Sequence, residues 1–372
     1  MQFVSPGLAS VIVGGQFGSE AKGLAAAYLS GTIPSAQPLI CTTNAGAQAG
    51  HTTILADGTK FVCYHLPTIG VMNRDAMIYL NAGSIIDPVL LAKEIKAVCA
   101  ATGEPENYLI NRLVIHPQAA VIRDEDKVLE AGGGTTHLGS TMKGVGAALT
   151  RKIMRQPGSV AYDCGDLYEK YRVTVIPLME EMSNGLNRAV TVEIPQGTGL
   201  SMNNGGFFPK CTSRDCWVGQ GLTDAGINPF YLEKVAMVVR TFPIRVGHVF
   251  NDEGQKIGDS GPFYSDGREL SWEDDFPGIE PERTTVTQRV RRIANWSWAQ
   301  YKYGLRLNRP EIVFLTFTNY LGDAEELVRR VHLMRKCEME ILGRVCEHVY
   351  SWGPKVSDCS TTLDDALAYW KE

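Results

Sequence analysis

Val11-Ile12-Val13-Gly14-Gly15-Gln16-Phe17-Gly18-Ser19-Glu20-Ala21-Lys22-Gly23, continued by Leu24-Ala25-Ala26-Ala27-Tyr28-Leu29, reads as a strand, a glycine-rich turn, a lysine and the start of a helix. Glycines let backbone N–H groups approach phosphate oxygens, and a helix N-terminus and a lysine add positive charge, so this order suits a phosphate site. The spacing departs from Gly-x4-Gly-Lys-Ser/Thr, and the same residues also make a tight structural turn.

Around this stretch, β-rich runs punctuated by glycine recur at Ser10 to Gly14, Pro38 to Thr43, Met77 to Asn81, Leu113 to His116, Val190 to Ile194, Ile244 to Phe250 and Glu311 to Phe317. Helix-length segments separate several of them, the pattern of strands buried on both faces. The expected fold class is α/β: a large, mainly parallel central sheet covered by helices, with a P-loop-like first turn. Asn228 before Pro229 predicts a helix to Arg240, because proline suits a first helical turn. Asp323 with Glu326 resembles a capping box, and Leu327, Val331, Met334 and Ile341 keep one apolar face behind it. No repeat or linker divides the chain, so residues 1–372 are read as one elaborated domain.

Composition narrows the class. The 372 residues carry 36 Lys plus Arg against 41 Asp plus Glu, a net charge of −5, which argues against a globally basic nucleic-acid clamp. Apolar residues at 44% are too many for disorder, and they are too interrupted for a membrane span. The first basic residue is Lys22, so the basic flank of a secretory signal is missing. Nine cysteines without a Cys-x-x-Cys pair read as reduced thiols in a cytoplasm, not as a zinc site or catalytic groups.

Two more loops carry chemistry. Gly46-Ala47-Gln48-Ala49-Gly50-His51-Thr52 sets a histidine among glycines, where acid–base work competes with a structural role. Gly139-Ser140-Thr141-Met142-Lys143-Gly144-Val145-Gly146 offers hydroxyls, glycines and a lysine to a phosphate, or makes a flexible turn. Arg283 to Pro310 holds seven basic residues and no acid, which reads as a solvated helix face or as an anion site for arginine forks.

Together these segments resemble the adenylosuccinate synthetase family. Its Gly-Gln-Trp-Gly-Asp-Glu-Gly-Lys-Gly is met by Gly15 to Gly23, with Phe17, Ser19 and Ala21 in place of Trp, Asp and Gly. Its Asn-Ala-Gly-His-Thr is met by Gln48 to Thr52, its Gly-Thr-Thr-Gly-Arg-Gly-Ile-Gly by Gly139 to Gly146, its Gln-Gly-Thr by Gln196-Gly197-Thr198, and its Val-Thr-Ser by Cys211-Thr212-Ser213. The arginine loop is Thr287-Gln288-Arg289-Val290-Arg291-Arg292, and the late Ser-Thr-Gly-Pro is Ser351-Trp352-Gly353-Pro354.

The resemblance implies a ligase that joins aspartate to C6 of a purine nucleotide after the base's O6 takes a γ-phosphoryl group. By the same resemblance Gly18, Glu20, Lys22, Gly23, Gly50, His51 and Thr52 hold the triphosphate, with Mg²⁺ on its phosphates, Ser19 and Gly50. Ser19, Lys22 and His51 are catalytic, His51 as general acid, and Ser19 also faces the monophosphate's base. Gln48, Ser140, Thr141, Gln196 and Thr212 hold the monophosphate, which Arg155 reaches from the partner of a homodimer. Thr287, Arg289 and Arg291 clamp aspartate, with Val290 interrupting the arginine run. Asn319, Gly353 and Pro354 meet the triphosphate's base.

Two departures redirect the substrates. The family's first-loop carboxylate removes the N1 proton, and Ser19 is a poor base. A branch of the family, found in viruses whose DNA contains 2-aminoadenine, also has serine there and uses dGMP instead of IMP; the shorter side chain leaves room for the 2-amino group. Phe317 and Asn319 stand where the family reads guanine with Lys-x-Asp, and an amide suits adenine better, so ATP or dATP is the expected donor. The expected partners are small molecules in a cytoplasm, with no nucleic acid or membrane. A synthetase acting on IMP, or an inactive nucleotide-binding regulatory protein, are the alternatives.

Overall fold

The computed structural model describes residues 1–134, 136–284 and 288–371. Ten strands form its central sheet: β1 (Ala9–Gly14), β2 (Leu39–Thr43), β3 (Met77–Leu80), β4 (Leu113–Ile115), β5 (Arg172–Val173), β6 (Ala189–Gly197), β7 (Leu232–Arg240), β8 (Ile312–Thr316), β9 (Glu347–Ser351) and β10 (Cys359–Ser360). They lie in the order β10-β9-β8-β7-β1-β6-β2-β3-β4-β5, all neighbours parallel except β9 and β10.

The apolar runs are continuous because both faces of the sheet are covered. Val11 and Val13 of β1, Val235, Met237 and Val239 of β7, and Val313 and Leu315 of β8 enter one core. Ile12, Ala236, Val238, Ile312 and Phe314, the residues between them, enter another on the opposite face. The covering helices include α1 (Lys22–Ser30), α2 (Pro88–Thr102), α3 (Val145–Ile153), α4 (Trp298–Asn308) and α5 (Ala324–Leu342). At the start of α5 the Asp323 side chain accepts from the Glu326 N–H at 2.7 Å, while Leu327, Val331 and Met334 are buried and Ile341 packs beside them, as the sequence predicts.

Two expectations are corrected. Asn228 does cap Pro229, but only for the short 3-10 turn Pro229–Tyr231, after which β7 runs to Arg240. Burial on both faces in mid-sheet overrides the local helix signal. Ile244 to Phe250 is not a central strand. It divides into Ile244–Arg245 and Val249–Phe250, each in a small antiparallel sheet, because the intervening Gly247 lies against the Val290 carbonyl, 2.5 Å from where a Cβ would be.

Parallel strands end together, so β1, β6, β7, β8 and β9 deliver Gly14, Gly197, Arg240, Thr316 and Ser351 to one edge of the sheet. In open α/β sheets ligands bind in the crevice at that edge. The register of β1 on β6 slips between Ile12 and Gly14, which brings Gly14 opposite Gly197. Neither has space for a side chain: a Cβ on Gly14 would lie 2.6 Å from Glu20 Oε2, and one on Gly197 would collide with the Gly18 nitrogen.

Candidate active site

The loop after β1 is held from beneath. Gln16 and Arg240 exchange hydrogen bonds, the Gln16 amide donating to the Arg240 carbonyl at 3.1 Å and accepting from its N–H at 3.0 Å. The fully buried Glu20 accepts from the N–H groups of Gln16 (3.1 Å) and Gly18 (2.8 Å) and pairs with Lys22 Nζ at 2.7 Å. Its carboxylate therefore braces the loop, and a triphosphate would meet the main chain of Glu20 and not this anion. Gly18, Ser19 and Ala21 all have positive φ, and this path turns the Ser19 side chain outward. No side chain caps α1, so its first-turn N–H groups are available to an anion.

In front of α1 lies a cavity of about 400 Å³. It collects Ser19, Lys22, Gly23, Gly50, His51, Thr52, Asn319, Gly353 and Pro354 from the expected set, together with Arg291. His51 opens a hairpin strand, His51–Ile54, and its Nδ1 lies 3.3 Å from Glu193 Oε2 in β6. Glu193 is 1% exposed, and its other oxygen accepts from the Ile69 N–H at 2.7 Å. Since a carboxylate only accepts, the proton sits on Nδ1, and Nε2 is left buried and unpartnered among the described residues on the cavity side.

A second cavity, of about 320 Å³, collects Gln48, Ser140, Thr141, Gln196 and Thr212. Gln48 and Gly50 face different cavities, so this short loop is a wall common to both. Both polar atoms of the Gln48 amide are buried without a partner among the described residues, which leaves a donor and an acceptor for a ligand. Glu130 and Arg245 line the same space. Glu130 accepts from the N–H groups of Gly144 and Gly146, each at 2.8 Å, and so caps α3. Arg245 donates to the carbonyls of Ser260 (2.7 Å) and Lys210 (2.8 Å) and lies 4.3 Å over the Phe17 ring; burial lowers its pKa to about 10.

Arg155 is exposed beyond the end of α3, and Arg289 is half-buried; neither lines either of these two cavities. Thr287 lies outside the described residues. The basic stretch is not one helix face: Arg291 pairs with Glu282 at 3.0 Å, Arg292 with Glu269 at 2.5 Å and Lys302 with Glu340 at 3.1 Å. Among the cysteines, all free, burial pushes the Cys216 thiol up to about 12, so it is no thiolate at neutral pH. Glu193, Glu130, Arg240, Arg245 and Glu282 were signalled by no motif. Glu193 alone leaves a trace, as a charge inside the apolar run of β6.

Fold and site together define a class, an α/β enzyme that handles two neighbouring ligands, at least one of them phosphorylated, at the carboxyl edge of a parallel sheet. The family model for adenylosuccinate synthetase matches residues 11–174 and 159–333. The chain is 36% identical over 366 residues to N6-succino-2-amino-2′-deoxyadenylate synthase of Salmonella phage PMBT28, covering 94% of this chain and 96% of the relative. It is 30% identical over 311 residues to adenylosuccinate synthetase of Pyrococcus horikoshii, covering 82% of each. The solved succinoaminodeoxyadenylate synthetase of cyanophage S-2L, bound to dGMP and dATP as an energy donor, superposes with a TM-score of 0.79 at 30% identity over 98% of this chain and 99% of that one. The chain belongs to the adenylosuccinate synthetase family.

Proposed function

We propose that this chain is a ligase that joins L-aspartate to C6 of dGMP, using ATP or dATP and a 6-phosphoryl nucleotide intermediate. The observation that carries the reading is Ser19, a short, outward-facing hydroxyl on the first cavity where the family has a carboxylate. Guanine differs from hypoxanthine by a 2-amino group beside N1, which a serine accommodates and to which its oxygen offers an acceptor. The phage relatives, whose names specify the succino-aminodeoxyadenylate product, support the same substrate.

The residues divide the work. The triphosphate lies in the first cavity against the N-terminus of α1 and Lys22, with Asn319 beside its base and Gly353 and Pro354 packed on it. The monophosphate lies in the second, held by Gln48, Ser140, Thr141, Gln196 and Thr212, with its base reaching over the common wall to Ser19. Guanine O6 attacks the γ-phosphorus across the common wall as N1 gives up its proton to water, and the nucleoside diphosphate leaves; the neutral amine of aspartate, whose carboxylate Arg291 holds, then adds at C6, and phosphate departs with the amine's proton. His51 Nε2, protonated, donates to the transferring phosphoryl group while Glu193 stabilises the imidazolium through Nδ1. The Ser19 hydroxyl and the Gly50 backbone on this cavity wall are oxygen donors that fit Mg²⁺ carried on the triphosphate, which supplies charge neutralisation when bound.

Next to the exposed Arg155, Ile153 and Met154 are 74% and 66% exposed, and on the helix Asp124–Leu129, which packs against α3, Val128 and Leu129 are 70% and 66% exposed. Four large apolar side chains so exposed on two packed helices suit a partner surface, which supports a homodimer in which Arg155 reaches the neighbour's monophosphate. No helix among the described residues is long and apolar enough to cross a membrane, and a nucleotide-making enzyme is expected in the host cytoplasm. Phosphate release tests the donor: it should require aspartate and dGMP and proceed with ATP or dATP. Faster release with GTP would overturn the assignment of Asn319.

A further inference from the structure

Glu282 belongs to none of the motifs, yet its carboxylate spans two arginines that serve different parts of the site. Oε1 meets Arg240 Nη2, and Oε2 accepts from Arg240 Nη1 at 3.2 Å and from Arg291 Nη1 at 3.0 Å. The main chain repeats the link, the Arg291 N–H donating to the Glu282 carbonyl at 2.8 Å. Arg240 is fully buried at the end of β7; its Nη1 also donates to the Ser19 carbonyl at 3.2 Å, and its guanidinium lies 3.9 Å over the Phe317 ring. Arg291 lines the first cavity with Ser19, Lys22 and His51, and its Nε is buried without a partner among the described residues.

An arginine side chain has several rotatable bonds, and unrestrained it presents its fork in many directions. A carboxylate that holds Nη1 fixes the plane and leaves the Nε edge for a second carboxylate, the geometry of a bidentate pair. A lone Glu282 at this place would repel an anionic substrate; Arg240 cancels that charge. Burial pushes the Glu282 carboxyl up, but Arg240 and then Arg291 outweigh it and hold it below its usual value, so it stays ionised at neutral pH. We infer that Glu282 and Arg240 are positioning residues for the second substrate: Glu282 orients Arg291 toward the aspartate carboxylate, and Arg240 anchors the cluster to the Ser19 carbonyl. The inference rests on the reading of Arg291 as an aspartate-binding residue.

Steady-state kinetics of the full chain test it, with melting curves alongside. Glu282→Gln should raise the KM for aspartate by roughly tenfold or more, while the KM values for dGMP and ATP stay within about twofold, because only the orientation of Arg291 is lost. Glu282→Asp, which keeps the charge but not the span between two arginines, should give a smaller rise of the same selectivity. An unchanged aspartate KM, or KM values for all three substrates rising in parallel, would overturn the inference; if Glu282→Gln does not fold, Glu282→Asp decides on the same criterion. A wild-type chain whose phosphate release is indifferent to aspartate would overturn the proposed function and this inference with it, whereas a failure confined to the variants overturns the inference alone.

Discussion

His51 and Glu193 are 142 residues apart in the chain and 3.3 Å apart in the fold. That separation shows which residues a sequence can disclose. Lys22, Ser19, Gln48 and His51 are legible because each sits in a short glycine-rich loop whose chemistry is local. Glu193, Arg240 and Glu282 act through partners brought to them by the sheet, and no local pattern records such a partner. The pair makes a direct prediction. His51→Ala should lower kcat by about two to four orders of magnitude, the size of a lost proton donor or charge stabiliser, with little change in Tm. Glu193→Gln should lower it less, since the imidazole stays in place, but an amide has one oxygen for two donors, Nδ1 and the Ile69 N–H, and no charge to stabilise the imidazolium. Normal turnover with a large fall in Tm would make His51 a packing residue.

At the scale of elements, the first strand, turn and helix could be read outright, because glycine, lysine and a following alanine-rich run each state their backbone requirement. Strand β7 could not: its local signals, an Asn-Pro pair and a mixed Leu-Glu-Lys-Val start, favour a helix, and only burial between two cores makes it extended. Gly23 links the turn to the strand that carries His51. A Cβ there would collide with the Thr52 carbonyl and lie 3.0 Å from the His51 carbonyl carbon, so α1 can approach the His51–Ile54 strand only because this residue has no side chain. Gly23→Ala should therefore separate Lys22 from His51. The expected result is a stability loss of about 1–3 kcal/mol from overpacking, read by calorimetry, together with weakened triphosphate binding. Unaltered binding in a variant of wild-type stability would show that the two elements need no such contact.

Over the whole molecule, β1–β6 fill one half of the central sheet and β7–β10 the other, joined where β1 pairs in parallel with β7, and β9 and β10 close one edge. The two groups share one continuous hydrogen-bonded sheet through the β1–β7 ladder, and we propose on that ground that the chain is one elaborated domain. The exposed apolar side chains of α3 and of the helix packed on it carry the prediction at this scale. Inactive Arg155→Ala and inactive His51→Ala chains, mixed under conditions of proven subunit exchange, should regain activity, because a heterodimer has one site with both defects and one site with neither. A monomer by light scattering during turnover, or no recovery on mixing, would leave Arg155 as a surface residue. The substrate itself is the central claim, and competition tests it most directly. With equimolar dGMP and IMP, saturating aspartate and ATP, the products resolved by mass spectrometry should be mainly the succino adduct of dGMP, by a factor of roughly ten or more, as the steric and hydrogen-bonding difference at Ser19 requires. An excess of the IMP adduct would contradict the account.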